Sequence, residues 1–384
     1  MLLVIAVAAV LWRGGFISPG QTVHGAHLGA GQKLASGQLG LVNAGTSQPP
    51  AYGIAAGGGL VFLGPEDLEA YFQKLQALGV TWVRWDIDWN VVQPTNATTY
   101  NWTAPDRVAA MAQKYHMQSL GIITYTPKWA RANACKKDPH CHPASPATFA
   151  TFAGAVAQHY KDTISTWEIW NEPNYPVFWR PRPSLPGYVA LLQAAGTTIK
   201  LNNPGATVIT GGLAATGDES DGSIGPDTFV QGLYKAGANT SFDAIGIHPY
   251  TYPAGPDDLS GWSMWQRLEP IRQYMVDHGD SAKKVWITEY GAPTGGPGTS
   301  FTLGTSDTFG YDSDYMQEAA QATMAMQALS FYQARTNWLG PFFWYSLQDE
   351  GTARDSIENF FGLLRADDTQ KPAYGIYHQA ITTQ

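Results

Sequence analysis

The chain is short of charge and short of cysteine, and each shortage narrows what it can be. Asp, Glu, Lys and Arg make up only 14% of its 384 residues, and acids outnumber bases by 31 to 23, for a net charge of −8. Such a balance offers no basic footprint for nucleic acid or for an anionic membrane surface, so neither is expected as a partner. Its two cysteines stand in Cys135-Lys-Lys-Asp-Pro-His-Cys141. With His140 and His142 they could be read as a zinc cluster, but the spacing fits neither a Cys-x2-Cys knuckle nor a His-x3-His helix pair. A disulfide closing a short loop is the favoured reading, and no metal or cofactor is expected. The apolar run Met1 to Trp12 falls short of the roughly 20 residues that a membrane-spanning helix needs. It has the length of the apolar part of a signal peptide, without the basic start, or of a truncated membrane anchor. Both readings of residues 1–13 point to export, to a secreted or envelope-associated location. The alternative is an apolar N-terminus packed on the domain.

Aromatics, by contrast, are abundant: 14 Trp, 19 Tyr and 15 Phe. Many must serve packing. The surplus also suits a neutral carbohydrate, because pyranose faces carry C–H groups that stack on rings. Residues 14–51 are rich in Gly, Ser, Gln and Ala with little periodicity, and read as a linker or arm. From Tyr52 onward β-type runs alternate with helical patterns, the mark of a parallel α/β fold. Strands are expected at Tyr52–Ala55, Trp82–Ile87, Ser119–Tyr125, Thr166–Trp170, Thr207–Gly211, Ala244–Ile247, Val285–Thr288 and Pro341–Tyr345. Between them, Leu68, Phe72 and Leu75 line one helix face after Pro65 and before Gly79, and Ser145-Pro146 opens a helix with Phe149, Phe152 and Val156 on its stripe. Eight such units over 52–384 predict a single (β/α)8 barrel, whose active site would lie at the C-terminal strand ends.

Two strand ends carry chemistry. In Trp167-Glu168-Ile169-Trp170-Asn171-Glu172-Pro173-Asn174 an apolar strand gives way to an Asn-Glu pair and a Pro-interrupted loop. An Asn beside a carboxylic acid can hold a sugar hydroxyl and protonate a glycosidic oxygen. The second carboxylate that such chemistry needs appears 117 residues later, in Lys284-Val285-Trp286-Ile287-Thr288-Glu289-Tyr290-Gly291.

These motifs together resemble the clan A retaining glycoside hydrolases, most closely family 39, with family 5 as the nearest rival. The resemblance covers roughly Tyr52 to the C-terminus. It implies a double displacement on a β-linked glycan, with Glu172 as acid/base and Glu289 as nucleophile, their carboxyl groups about 5–5.5 Å apart. Asn171 would hold the sugar 2-hydroxyl, and Arg84 would keep the nucleophile ionised, unless it pairs structurally with Glu168. His248 and Tyr250, in His248-Pro249-Tyr250, would line the site and bind the nucleophile, and Trp344 would floor it. Further substrate contacts are expected from Asp86, Trp129, Tyr175 and Trp179. Asp88 could bind hydroxyls or cap a loop, and Gln348-Asp349-Glu350 could reach substrate or lie in solvent. The stretch Ala292–Tyr311 is expected to form a mobile wall. Arg131, Lys136, Lys137, Arg180 and Arg182 leave an acidic sugar open. The resulting expectation is an endo-acting, monomeric enzyme on an oligo- or polysaccharide, membrane-anchored if the N-terminus serves as an anchor. An exo-acting β-glycosidase such as a β-xylosidase, a transglycosylase and a non-catalytic carbohydrate-binding barrel are the alternatives.

Overall fold

Each apolar run is too short to make a stable sheet with anything but its neighbours, and the helices between them make those neighbours parallel. In the computed structural model, which describes residues 49–260, 263–303 and 314–383, the runs become Tyr52–Ala55 (β1), Trp82–Asp88 (β2), Gln118–Thr124 (β3), Thr166–Ile169 (β4), Thr207–Thr210 (β5), Ala244–Ile247 (β6), Lys284–Tyr290 (β7) and Leu339–Tyr345 (β8). All pair in parallel, in the order β1-β8-β7-β6-β5-β4-β3-β2, and close into a barrel. Helices Pro65–Leu78 (α1), Thr103–Lys114 (α2), Pro146–His159 (α3), Leu185–Asn202 (α4), Pro226–Lys235 (α5), Met264–Asp277 (α6), Glu318–Gln333 (α7) and Pro372–Thr382 (α8) follow the strands in turn. The architecture is the (β/α)8 barrel. All described residues belong to one unit, Thr46–Gln384.

Helix punctuation works as its chemistry requires. Gly79 ends α1 at φ 89°, where its N–H reaches the carbonyls of Leu75 and Gln76. Ser145 and Ser184 cap α3 and α4 by accepting from Thr148 and Gly187 N–H groups. Phe149, Phe152 and Val156 are buried against the sheet.

Along the axis, Leu120, Ile209, Ala244, Trp286 and Phe343 form an apolar inner cluster, with Trp82 and Tyr345 against it. Toward the C-terminal ends of the strands this gives way to charge: Arg84 and Glu168 are fully buried inside the barrel. A cavity of about 400 Å³ opens at the opposite, N-terminal end, bordered by Trp82, Gln118, Thr166, Lys284 and Trp286. None of the candidate site residues lines it.

The segments read as export signal and linker lie outside the described residues, apart from 49–51. Among the described residues no helix is long and apolar enough to cross a membrane. In the stretch after β7, Ser300–Phe301 pairs in parallel with Tyr315–Met316, and residues 304–313 lie outside the description.

Candidate active site

The barrel alone does not aim both glutamates inward; two departures from regular strand geometry do. Side chains alternate faces along a strand, so on β7 the residues Trp286 and Thr288 should face the axis and Glu289 the helices. The register against β8 slips at this point: Ile287 lies opposite Phe342 and Tyr290 opposite Trp344, three residues against two. That bulge turns Glu289 into the barrel and sends Tyr290 out against Trp265 and Trp344. On β4 the device differs. Trp170 and Glu172 take left-handed backbone angles, φ 72° and 46°, a conformation that costs bulky L-residues about 1–3 kcal/mol each. Trp170 is thereby buried among Phe149, Tyr125 and Trp179, and its indole N–H donates to the Phe178 carbonyl at 2.8 Å. Asn171 and Glu172 are left facing the axis, and the Glu172 N–H is fixed on the Gly212 carbonyl at 3.0 Å.

Arg84 is the hub. Its guanidinium donates through Nε to Oε2 of Glu168 at 2.6 Å, and through Nη2 to Oε1 of Glu168 at 2.9 Å and to Oδ1 of Asn171 at 2.8 Å. Nη1 donates to Oε1 of Glu289. Both roles considered for Arg84 are therefore filled at once. Burial opposes its charge, but Glu168 and Glu289 outweigh burial and hold the guanidinium more firmly protonated than usual. Glu168 also accepts the Gly212 N–H at 2.7 Å, so its acceptors are spent inside the protein.

Glu289 receives a second donor, the Tyr250 hydroxyl, on Oε2 at 2.9 Å. Glu172 receives no fixed cation. Its Oε1 lies 2.9 Å from Nδ1 of His248, which is 3.5 Å from Oε2 of Glu289. One side-chain atom each of Glu172, His248 and Glu289 lies within 4.8 Å of the other two, so the two carboxyl groups share one cleft; a covalent glycosyl intermediate calls for about 5–5.5 Å between them. These three are also the side chains with which a divalent cation could be held, yet the Arg84 guanidinium already occupies Glu289. Close approach explains one glycine: a methyl on Gly212 would fall 2.1 Å from Nε2 of His248 and 2.5 Å from Oγ1 of Thr288.

Electrostatics divide the pair. Burial raises both carboxyl groups above the usual carboxylate range. For Glu289, Arg84 and the Tyr250 hydroxyl pull back toward the ion. For Glu172, the charge of Glu289 adds to burial, opposed by the His248 contact. Burial lowers His248 toward the neutral imidazole. Its Nε2 is buried without a partner. The tautomer protonated on Nδ1 leaves only a lone pair orphaned there, which costs less than an orphaned N–H. In that tautomer His248 donates to Oε1 of Glu172 at 2.9 Å, and Oε2 is the oxygen left open to carry a proton.

Several expected contacts fall elsewhere. Trp344 does not floor the site: it is fully buried between barrel and helices, near Tyr290 and Tyr377, with its indole N–H on the Phe361 carbonyl. Strand alternation gives the inward position to Tyr345, which lies within the field of Glu289 and near Tyr250. Trp179 is likewise buried, stacked on His142 and packed on Trp170 and Tyr188. Trp129 is half-buried, packed edge-on against Trp89 with its N–H on the Gln93 carbonyl, and Tyr175 is partly exposed. Asp88 caps the turn after β2 by accepting from the Asn90 N–H at 2.7 Å. Gln348 bonds Lys74 and Asp368, and Asp349 is locked on Lys371, so neither serves the cleft. Cys135 and Cys141 form a disulfide, which leaves no thiolate for zinc.

No protein-family model matches the sequence, and no curated protein does either. Solved structures do. The fold is similar to a family 39 glycoside hydrolase from the gut symbiont Bacteroides cellulosilyticus WH2, at TM-score 0.65 and 23% identity over 87% of this chain and 64% of that one. A monomeric beta-xylosidase from Caulobacter crescentus CB15 gives 0.64 at 15% identity, over 88% and 69%. Xylanase 10B from Thermotoga maritima gives 0.58 at 16% identity, over 86% and 94%. The chain thus spans less than two thirds of the length of the first. At these identities the likeness establishes a shared barrel.

Proposed function

We propose that this protein is a retaining glycoside hydrolase that cleaves a β-linked glycan through a covalent glycosyl-enzyme. The observation that carries this reading is the pair Glu172 and Glu289, with oxygens within 4.8 Å of each other and unlike partners. Glu289, drawn toward its anion by Arg84 and Tyr250 against the effect of burial, attacks the anomeric carbon as a carboxylate. Glu172 gives its proton to the departing oxygen, stays as a carboxylate while the ester exists, and then takes a proton from the incoming water. Esterification removes the charge of Glu289, and with it one of the causes that raise Glu172. The same group can therefore serve as acid and then as base. Asn171, oriented by Arg84, offers its amide N–H to the sugar 2-hydroxyl. The solved glycoside hydrolases that share the barrel add support.

In this reading the enzyme is monomeric, acts within a polysaccharide and is exported, the last supported by the Cys135–Cys141 disulfide. The test is proton NMR of the first product formed by the full chain from aryl β-glycosides and β-linked polysaccharides. Release of the β-anomer first is expected. An α-anomer first, formed by inversion, would sink the double displacement. The size of products from polysaccharide decides between internal cleavage and release of monosaccharide.

A further inference from the structure

Asp86 is the carboxylate that the mechanism leaves unused. It is 8% exposed, and its side chain accepts no hydrogen bond from any described residue. Buried acceptors are nearly always paired. Glu168, two strands away on β4, has three donors. Asp86 shares the inward face of β2 with Arg84, in register with Ile122 of β3. The glycine loop after β1 lies over it: a methyl on Gly58 would sit 3.1 Å from Oδ2. Burial, against the pull of Arg84, pushes it up to about 7.

Its neighbour is a residue that the sequence reading passed over. Tyr125 stands just past β3, its ring held between His140 at 4.7 Å and Trp170 at 5.5 Å. Its hydroxyl has no protein partner among the described residues. It lies in the field of Asp86 first, then of Glu172, Asp88 and Glu289. An unpaired acceptor and an unpaired phenol thus face the same cleft, on the wall opposite His248 and Tyr250.

We infer that Asp86 and Tyr125 read the hydroxyls of the sugar bound between Glu172 and Glu289, and that this wall admits an uncharged sugar and rejects a uronic acid. The inference rests on the glycosidase reading and deepens it. An ionised Asp86 accepts from two sugar hydroxyls, and Tyr125 donates to, or accepts from, a third. A sugar carboxylate in the same place would meet Asp86 and Glu289, with Arg84 the one arginine that acts on both among the described residues. The arginines of the neighbouring loops do not help. Arg131 is tied to the Thr126 carbonyl and Asn90, Arg180 pairs with Asp138, and Arg182 donates to the Ser220 carbonyl.

The experiment compares 2,4-dinitrophenyl β-glycosides of neutral pyranoses, their 3-deoxy and 4-deoxy forms, and the β-glucuronide, using the full chain. Asp86→Asn should lower kcat/KM on the best neutral substrate about 100-fold, and Tyr125→Phe about 10-fold, as loss of charged and neutral hydrogen bonds implies. One deoxy substrate should be poor for the parent enzyme yet lose nothing further in Asp86→Asn, a coincidence that a folding defect cannot produce. Turnover of the glucuronide within tenfold of the neutral sugar, or an Asp86→Asn enzyme of full activity, would overturn the inference and leave the glycosidase reading intact. No turnover of any substrate, with no labelling of Glu289 by an activated 2-fluoro glycoside, would overturn both.

Discussion

The exits of β4 and β7 present the same side chain to the same cleft in opposite company. At β7 the bulge delivers Glu289 between a guanidinium and a phenol, two donors that stabilise its anion. At β4 two left-handed residues deliver Glu172 beside a neutral imidazole and no fixed cation. In the proposed mechanism chemically identical groups serve as an anion and an acid because the backbone hands them to different neighbours. The contrast predicts which mutation hurts which step.

The largest effect belongs to the anion. Glu289→Gln should lower kcat by roughly 10⁴-fold or more on every substrate, because an amide cannot form the glycosyl ester. Glu172→Gln should cost about 10²–10⁴-fold where the leaving group needs a proton. It should cost little in glycosylation of 2,4-dinitrophenyl glycosides, whose leaving group departs unaided. Measured side by side, equal losses on both substrate types would erase the distinction between the two exits.

Arg84 makes the distinction, so altering its geometry should blur it. Lys cannot reproduce a fork that reaches Glu168, Asn171 and Glu289 together, and Arg84→Lys should lower kcat/KM about 100-fold. Assays belong well below the melting temperature, because Glu168 loses a buried partner in this variant. A smaller effect is the basic limb of the pH profile. Burial and the charge of Glu289 raise Glu172, so a leaving group in need of a proton is cleaved well below that raised value. Turnover then falls roughly tenfold per pH unit above it. The apparent pKa values belong to the coupled pair. Glu172→Gln should abolish the basic limb and keep the acid limb, on which Glu289 must lose its proton.

The barrel is legible from residue 52 onward because periodicity and turn chemistry record it directly: β1 and β6 have the expected bounds, β2, β4, β5 and β8 shift by one or two residues at one end, and β3 and β7 shift at both. Which way side chains point near the cleft was less legible. Period-two alternation assigns Trp344 and Tyr345 to opposite faces, but only the register of β8 against β1 and β7 says which face is inside. The bulge at Thr288 and Glu289 leaves no mark in composition, so Glu289 was found through its motif and not through its parity. The place of Trp179 is not legible, because a loop after β4 can fold back on α4 and an indole says nothing of which side it will choose. Tyr125 had one usable signal, its place at the exit of a barrel strand, where catalytic faces are built.

A second buried cation sharpens the comparison from outside the cleft. Lys371, 1% exposed along its side chain, pairs with Asp349 at 2.6 Å and donates to Oγ1 of Thr294 and the Phe360 carbonyl. It thereby pins the loops after β7 and β8 together. Like Arg84 it is buried and has several acceptors, but none of them faces the cleft. If Arg84 matters because of where Glu289 points, and not because buried cations matter in general, Lys371→Met should separate stability from catalysis. Removing one partner of a buried pair costs about 3 kcal/mol or more, so the melting temperature should fall by several degrees, while kcat/KM at 25 °C should stay within about twofold. A loss of turnover as deep as that of Arg84→Lys, in protein still folded by circular dichroism, would mean that the charge next to Glu289 is not what distinguishes the two exits.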